Sequence, residues 1–406
     1  MNNTPLEDQV HDALHRRVDP LQHAPLTVTD VRRRAGRIQL RRRVAAGAAV
    51  AAVLAVAVPV GLSVTGPAQR SEVPPATHSP TLSGPVRIDP RSADVSATPP
   101  GVPLVDTTVP KVAAGSAELD LPQPYEQVTP YRDGWIASLN VDGDHRIDVL
   151  DATFTVLDET TGNSELTVSP DGTRIAWAFH NGDHWSVINN DVAGEEAERP
   201  WTAVPDGAAG STVGTVGFVS DDEVLAYQLD ERTGTISTFL ADGDEVVPLP
   251  GIDQAVSASP ATGMIAARTT TDDGASCAAT FDGRTRAATP IWTDCDHELG
   301  PFTPDGTRVV GFAPTPDGDH PGLSILDAGT GASLVDFEVT GARNRVVGIA
   351  SQVVWEDDEH LLATYTDGNQ QYVVRLGLDG AVERVAGPVT VDPGRVALRL
   401  TPGNVE

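Results

Sequence analysis

The sequence predicts an all-β fold, a β-propeller of six four-stranded blades with seven as the alternative count, and three observations predict it. A turn pattern recurs, clearest at Ser169-Pro170-Asp171-Gly172-Thr173-Arg174-Ile175-Ala176 and Thr303-Pro304-Asp305-Gly306-Thr307-Arg308-Val309-Val310, with weaker copies at 220–226, 259–266 and 356–363. Taking Tyr131, Asp171, Asp221, Ala261, Asp305 and Asp357 as equivalent points, the copies stand 40, 50, 40, 44 and 52 residues apart. Such a period belongs to stacked β-units that cannot bury an apolar face alone. Two further turn sets recur inside each unit, one including Asp142-Gly143-Asp144-His145, Asn181-Gly182-Asp183-His184 and Asp317-Gly318-Asp319-His320, the other Ala241-Asp242-Gly243 and Leu378-Asp379-Gly380. Three turns per unit demand four strands.

In chain order, residues 1–43 form a basic tail with nine arginines and five acids, and Leu6, Val10, Leu14 and Val18 mark one stripe of a short amphipathic helix. Residues 44–65 follow as a transmembrane helix. No charge interrupts 44–69, and 44–64 is rich in Ala, Val and Leu, about the length a bilayer needs. The arginine excess ahead of it predicts a single-pass protein with a cytoplasmic N-terminus and the remainder outside the cytoplasm. A 43-residue leader is too long for an ordinary cleaved signal peptide. Residues 66–115, rich in Pro, Ser and Thr, are expected to be a disordered spacer, and 116–406 the extracytoplasmic propeller.

Within the propeller the turn chemistry is direct. Proline fixes φ at the first corner, aspartate bonds its own backbone, and glycine takes positive φ before an apolar run begins. A last copy, Val396-Ala397-Leu398-Arg399-Leu400-Thr401-Pro402-Gly403, has only one strand and is expected to close the ring by pairing with the first blade. The net charge of −29 makes nucleic acid an unsuitable partner and favours solubility. Cys277 and Cys295 are the two cysteines, and a disulfide fits an exported domain. Reflecting Cys277 about the Asp282-Gly283 turn lands near residue 288, so a link to the next blade's inner strand is the easier geometry.

The Ser/Thr-Pro-Asp-Gly-x-x-Ile/Val-Ala pattern resembles the WD40-like repeat of TolB-type propellers of the bacterial cell envelope, over roughly 119–402. The resemblance implies fold, and a ligand face formed by the turns between second and third strands. Arginine outnumbers lysine 27 to 1, which looks like a high-GC genome, and an actinobacterial membrane-anchored member is the expectation.

On that face the candidates are His145, Asp183, His184, Asp230, Asp272, Asp319 and His320, suited to metal or partner recognition. Turn residues inherited by duplication explain the same recurrence. Asn140, Asp142, Asp144, Asp148 and Asp151 follow the oxygen spacing of a calcium loop, but His145 replaces its sharp-turn glycine and Asp151 its bidentate glutamate. Accordingly no cofactor is expected. No nucleophile elbow, phosphate loop or zinc-protease motif occurs. The expected function is a membrane-anchored binding module for a protein, peptide or envelope ligand, with no catalysis. The alternatives are a hydrolase or lyase on the ligand face, and signalling through a cytoplasmic partner of residues 1–43.

Overall fold

A computed structural model describes residues 84–403 apart from 142–143, 163–165, 181, 191–200, 205–209, 244, 272–273, 287–288, 316–319, 341–346 and 393–395. It is an all-β propeller of seven blades. Blade 1 is built from both ends of the described chain: Leu398–Leu400 is its inner strand, followed outward by Leu104–Asp106, Lys111–Ala114 and Ala117–Asp120. The next four blades begin with the inner strands Gln127–Tyr131, Thr167–Val168, Ser211–Phe218 and Gln254–Ser259, each followed outward by three antiparallel strands. Blades 6 and 7 begin with Glu298–Phe302 and Val347–Trp355.

The count of six is therefore corrected to seven. The six repeated turns are all present, each between first and second strands, and they belong to blades 2 to 7. Blade 1 has no such turn because its first and second strands lie at opposite ends of the sequence. The closing strand pairs as expected, Leu104 against Leu400 and Asp106 against Leu398. Its partners, however, start at Leu104, inside the stretch 66–115 expected to be a spacer, so the propeller does not begin at Ser116.

More of that stretch is structured. Val86–Ile88 adds a parallel fifth strand outside blade 6, pairing with Phe337 to Val339, and Asp94–Val95 does the same outside blade 7 at Glu383 and Arg384. Residues 84–103 thus form a strap over two outer edges, which removes those edges from the surface. Arg375 fastens it, donating to Ser96 Oγ and to the Pro99 carbonyl at 3.1 Å while paired with Glu356 and Glu383. Proline-rich composition hid these strands, which are short and borrow their pairing partners from far along the chain.

The core lies between the blades rather than within them. Neighbouring residues on a second strand point to opposite interfaces, as the two-residue period requires. Leu361 and Ala363 pack between blades 6 and 7, and Leu362 between blades 7 and 1. Val224 and Ala226 face blade 3 while Leu225 faces blade 5. Both faces of each sheet are covered, so these strands read as continuous apolar runs.

Candidate functional site

The inner strands surround a cavity of about 400 Å³ to which every blade contributes, for instance Gln127, Thr167, Thr215, Ser257, Gln352 and Arg399. It extends from Glu126 and Leu166, where the chain enters inner strands, to Pro170 and Pro260 at the repeated turns and Pro402 just past the closing strand. Much of its polar lining stitches one inner strand to the next. Ser257 Oγ donates to the Gly300 carbonyl at 2.6 Å, Gln127 Nε2 to that of Leu166 at 3.2 Å, and Thr401 Oγ1 to that of Val128 at 2.5 Å.

Arg399 differs. Leu398 and Leu400 point into the core, so the alternation of the strand turns Arg399 into the cavity. Its guanidinium makes one contact, 3.7 Å from Nη1 to Glu126 Oε2, and its buried Nε has no hydrogen-bond partner. A buried donor left unpaired costs roughly 1–3 kcal/mol. Arg146 and Arg174 also keep a buried Nε unpaired, but each guanidinium donates elsewhere, to Asp148 and to the Asp221 carbonyl.

The expected ligand-face residues separate. His145 is half-buried and lines the cavity. Asp183 is exposed and His184 half-buried in the blade 3 turn. Asp230 accepts from the Arg232 and Thr233 amides, capping its own turn. His320 is not on the surface: it is 3% exposed, stacks on Phe312 at 4.5 Å, and its Nδ1 lies 2.9 Å from the Ala313 carbonyl. An aromatic partner and a backbone bridge to Ile349 draw it into the core between blades 6 and 7. Asp272 and Asp319 lie outside the described residues.

The calcium-loop spacing does not produce a common centre. Asn140 pairs with His145 at one end of its hairpin, whereas Asp151 follows Leu150 at the other, so six residue steps, about 20 Å, separate them. Asp148 is fully buried between them, its Oδ2 accepting from Tyr125 Oη at 2.6 Å and Arg146 Nη2 at 2.8 Å and its Oδ1 without a partner among the described residues. Burial and that carboxylate push the Tyr125 hydroxyl above its ordinary range. Asp151 is held below the usual carboxylate range, chiefly by the Thr155 amide and the Thr153 hydroxyl of its own turn. Asp142 and the Asp144 side chain lie outside the described residues.

One constellation escaped the sequence altogether. His297 Nδ1 lies 2.5 Å from Asp294 Oδ2, His297 Nε2 lies 3.2 Å from Ser324 Oγ, and Ser324 donates to Asp336 Oδ1 at 2.7 Å. Burial works against the Asp294 carboxylate, yet the Asp296 amide and His297 hold it below its ordinary value. The chain joins blade 5 to the third and fourth strands of blade 6. Its members carry no local motif, since the fold brings Ser324 to a histidine 27 residues away.

The disulfide between Cys277 and Cys295 lies just before Asp296 and His297. It closes a hairpin within blade 5, because Ala278 pairs with Asp294 and the cysteines are the next opposed positions. The expected link to the next blade is therefore corrected; the strands Ser276–Asp282 and Trp292–Asp294 are separated by nine residues in sequence, which shifts the reflection point.

No protein-family model matches the chain, and no curated protein matches it. Solved structures do match. Oligopeptidase B from Leishmania major aligns at 10% identity and TM-score 0.49, over 76% of this chain and 51% of that one. The β-propeller domain of the trilobed protease from Pyrococcus furiosus gives 12% and 0.44, over 65% and 86%. TolB from Acinetobacter baumannii gives 11% and 0.38, over 74% and 66%. This chain spans about half the length of the prolyl-oligopeptidase-type structures it resembles. At such identities the likeness is one of fold, and the class, a seven-bladed propeller, rests on the sheet topology itself.

Proposed function

We propose that this protein is a single-pass envelope protein whose extracytoplasmic propeller binds a protein, peptide or envelope ligand through the central cavity. The observation that carries the reading is the cavity, of the size that takes small ligands or a short chain segment, with an underused guanidinium inside it. Two features support the address: the arginine excess of 1–43 ahead of the uncharged stretch 44–69, and a cystine pair of a kind that persists in oxidising compartments. The stretch 44–65 lies outside the described residues, and no described helix is long and apolar enough to cross a membrane. An actinobacterial source and a cytoplasmic partner for 1–43 belong to the same proposal.

The test is photo-crosslinking from the cavity wall. A crosslinker placed at Thr215 of the full chain in cells should capture an envelope component, and one at exposed Asp183 should not. Equal capture from both positions would count against the cavity. For the address, protease added to wall-stripped cells should release the propeller; protection until the membrane is permeabilised would contradict it.

A second reading, a hydrolase, has one specific observation behind it, the Asp294–His297–Ser324 geometry. Against it, Ser324 is 7% exposed and gives its hydroxyl hydrogen to Asp336 rather than to the histidine. A fluorophosphonate that labels the parent but not Ser324→Ala would establish a nucleophile there. Absence of label leaves the four residues as a latch between two blades.

A further inference from the structure

The lining of the cavity restricts what can occupy it. Among the described lining residues Arg399 is the one lysine or arginine, in a chain whose net charge is −29, and the other ionisable groups facing the cavity are Glu126 and His145. Most other lining groups are hydroxyls, amides, prolines and apolar side chains. A polyanion would set most of its charges against neutral walls and an acidic protein, so the complementary ligand carries a single negative group on an otherwise uncharged body.

The guanidinium has a direction as well as a charge. Nε is buried out of a ligand's reach, whereas Nη1 and Nη2 are not buried and make no hydrogen bond to a described residue, Glu126 standing 3.7 Å from Nη1. The Nη1–Nη2 edge presents two parallel N–H donors, the fork that matches a planar carboxylate. A terminal carboxylate is no wider than the backbone it ends, whereas a side-chain carboxylate needs room beside a passing chain. The cavity is elongated from the entry loops to the repeated turns, which suits an extended segment. Resting on the cavity-binding reading above, we propose that the ligand is an extended peptide with a free C-terminal carboxylate, gripped at two points by the Nη1–Nη2 edge of Arg399.

The probes are acetyl-trialanine with a free carboxylate and the same peptide as its amide, titrated against the detergent-solubilised full chain. The acid should bind at least tenfold more tightly than the amide. Arg399→Gln should reduce the acid to the level of the amide, and Arg399→Lys, which keeps the charge without the fork, should fall between them. Glu126→Gln should leave the preference intact. Thermal midpoints identify any variant that fails to fold, and the acid-against-amide ratio on the parent stands without any variant. Equal binding of the two peptides, no binding of either, or an Arg399→Gln variant that keeps the preference would overturn the inference. If crosslinking at Thr215 still captures an envelope component, such a failure concerns the carboxylate alone; if that capture also fails, the cavity reading goes with it. Stronger binding of a glycerol-phosphate oligomer than of the acid would replace the peptide with a phosphate polymer, also overturning it.

Discussion

At the scale of single residues, the repeated turn is a small hydrogen-bonded machine. Ser169 Oγ donates to Asp171 at 2.6 Å and accepts from the Arg174 amide at 2.9 Å, and Thr303, Asp305 and Arg308 repeat the arrangement at 2.7 and 3.1 Å. The arginine then reaches the next blade: Arg174 bonds the Asp221 carbonyl and pairs with Asp222, and Arg308 bonds the Asp358 carbonyl at 3.2 Å. The Ser169 hydroxyl and then the Thr173 bonds lower the Asp171 carboxyl, while at Asp305 burial opposes but the Thr303 and Thr307 bonds prevail. With native values below the unfolded ones, the unfolded chain binds more protons as pH falls through about 4, so this stability is complete above that pH and lost below it. Urea midpoints measured from pH 6 to pH 2.5 should therefore fall steeply, and Asp171→Asn with Asp305→Asn should flatten the profile while lowering its plateau. An unchanged slope would mean these turns do not report acid unfolding. The turn chemistry was legible in the sequence because all its partners lie within five residues. The arginine clamp was not, since Asp221 sits in a copy that has lost its proline and glycine.

At the scale of elements, hairpin register decides which residues meet. A tight reflection about Asp282-Gly283 would carry Cys277 to about residue 288, but nine residues separate the strands that end at Asp282 and begin at Trp292, and this moves the reflection point. As a result Cys277 and Cys295 are opposed across one blade, and the linked segment has a sequence separation of 18. In the chain-entropy account a loop of that size contributes about 3 kcal/mol. Cys277→Ala with Cys295→Ala should lower the unfolding free energy by about that amount in urea titrations, and peptide mapping of the unreduced parent should recover the linked pair. A loss below about 1 kcal/mol would place the hairpin's stability elsewhere, in Thr293 and Trp292 pairing with Ala279 and Thr280 and in Trp292 Nε1 donating to the Ala328 carbonyl of blade 6. The tryptophans show the same lesson. Their place beside strands is visible in sequence, but that Trp185 bonds Ser211 and Trp355 bonds Pro301 follows only from how the blades stack.

At the scale of the whole molecule, the ring holds because each interface between consecutive blades is filled, and blade 1 supplies two of them. Val105 and Val112 pack with Tyr125 and Val128 toward blade 2, while Val102 and Leu104 pack with Leu362 and Val373 toward blade 7. A fragment starting at 116, where the composition suggests the domain begins, keeps Leu398–Leu400 but removes its partner Leu104–Asp106 and the next strand outward, Lys111–Ala114. Burying an aliphatic side chain of this size contributes about 1.5–3 kcal/mol. Losing Val102, Leu104, Val105 and Val112 together therefore approaches the net stability of a typical domain, roughly 5–15 kcal/mol. The cut also bares the edges of the closing strand and of the outer strands on blades 6 and 7, which invites association. Fragment 84–406 should give one cooperative thermal transition and run as a monomer, whereas 116–406 should aggregate or melt without cooperativity. A soluble 116–406 fragment with the same sharp transition would show that blade 1 is dispensable and that six blades close the ring unaided.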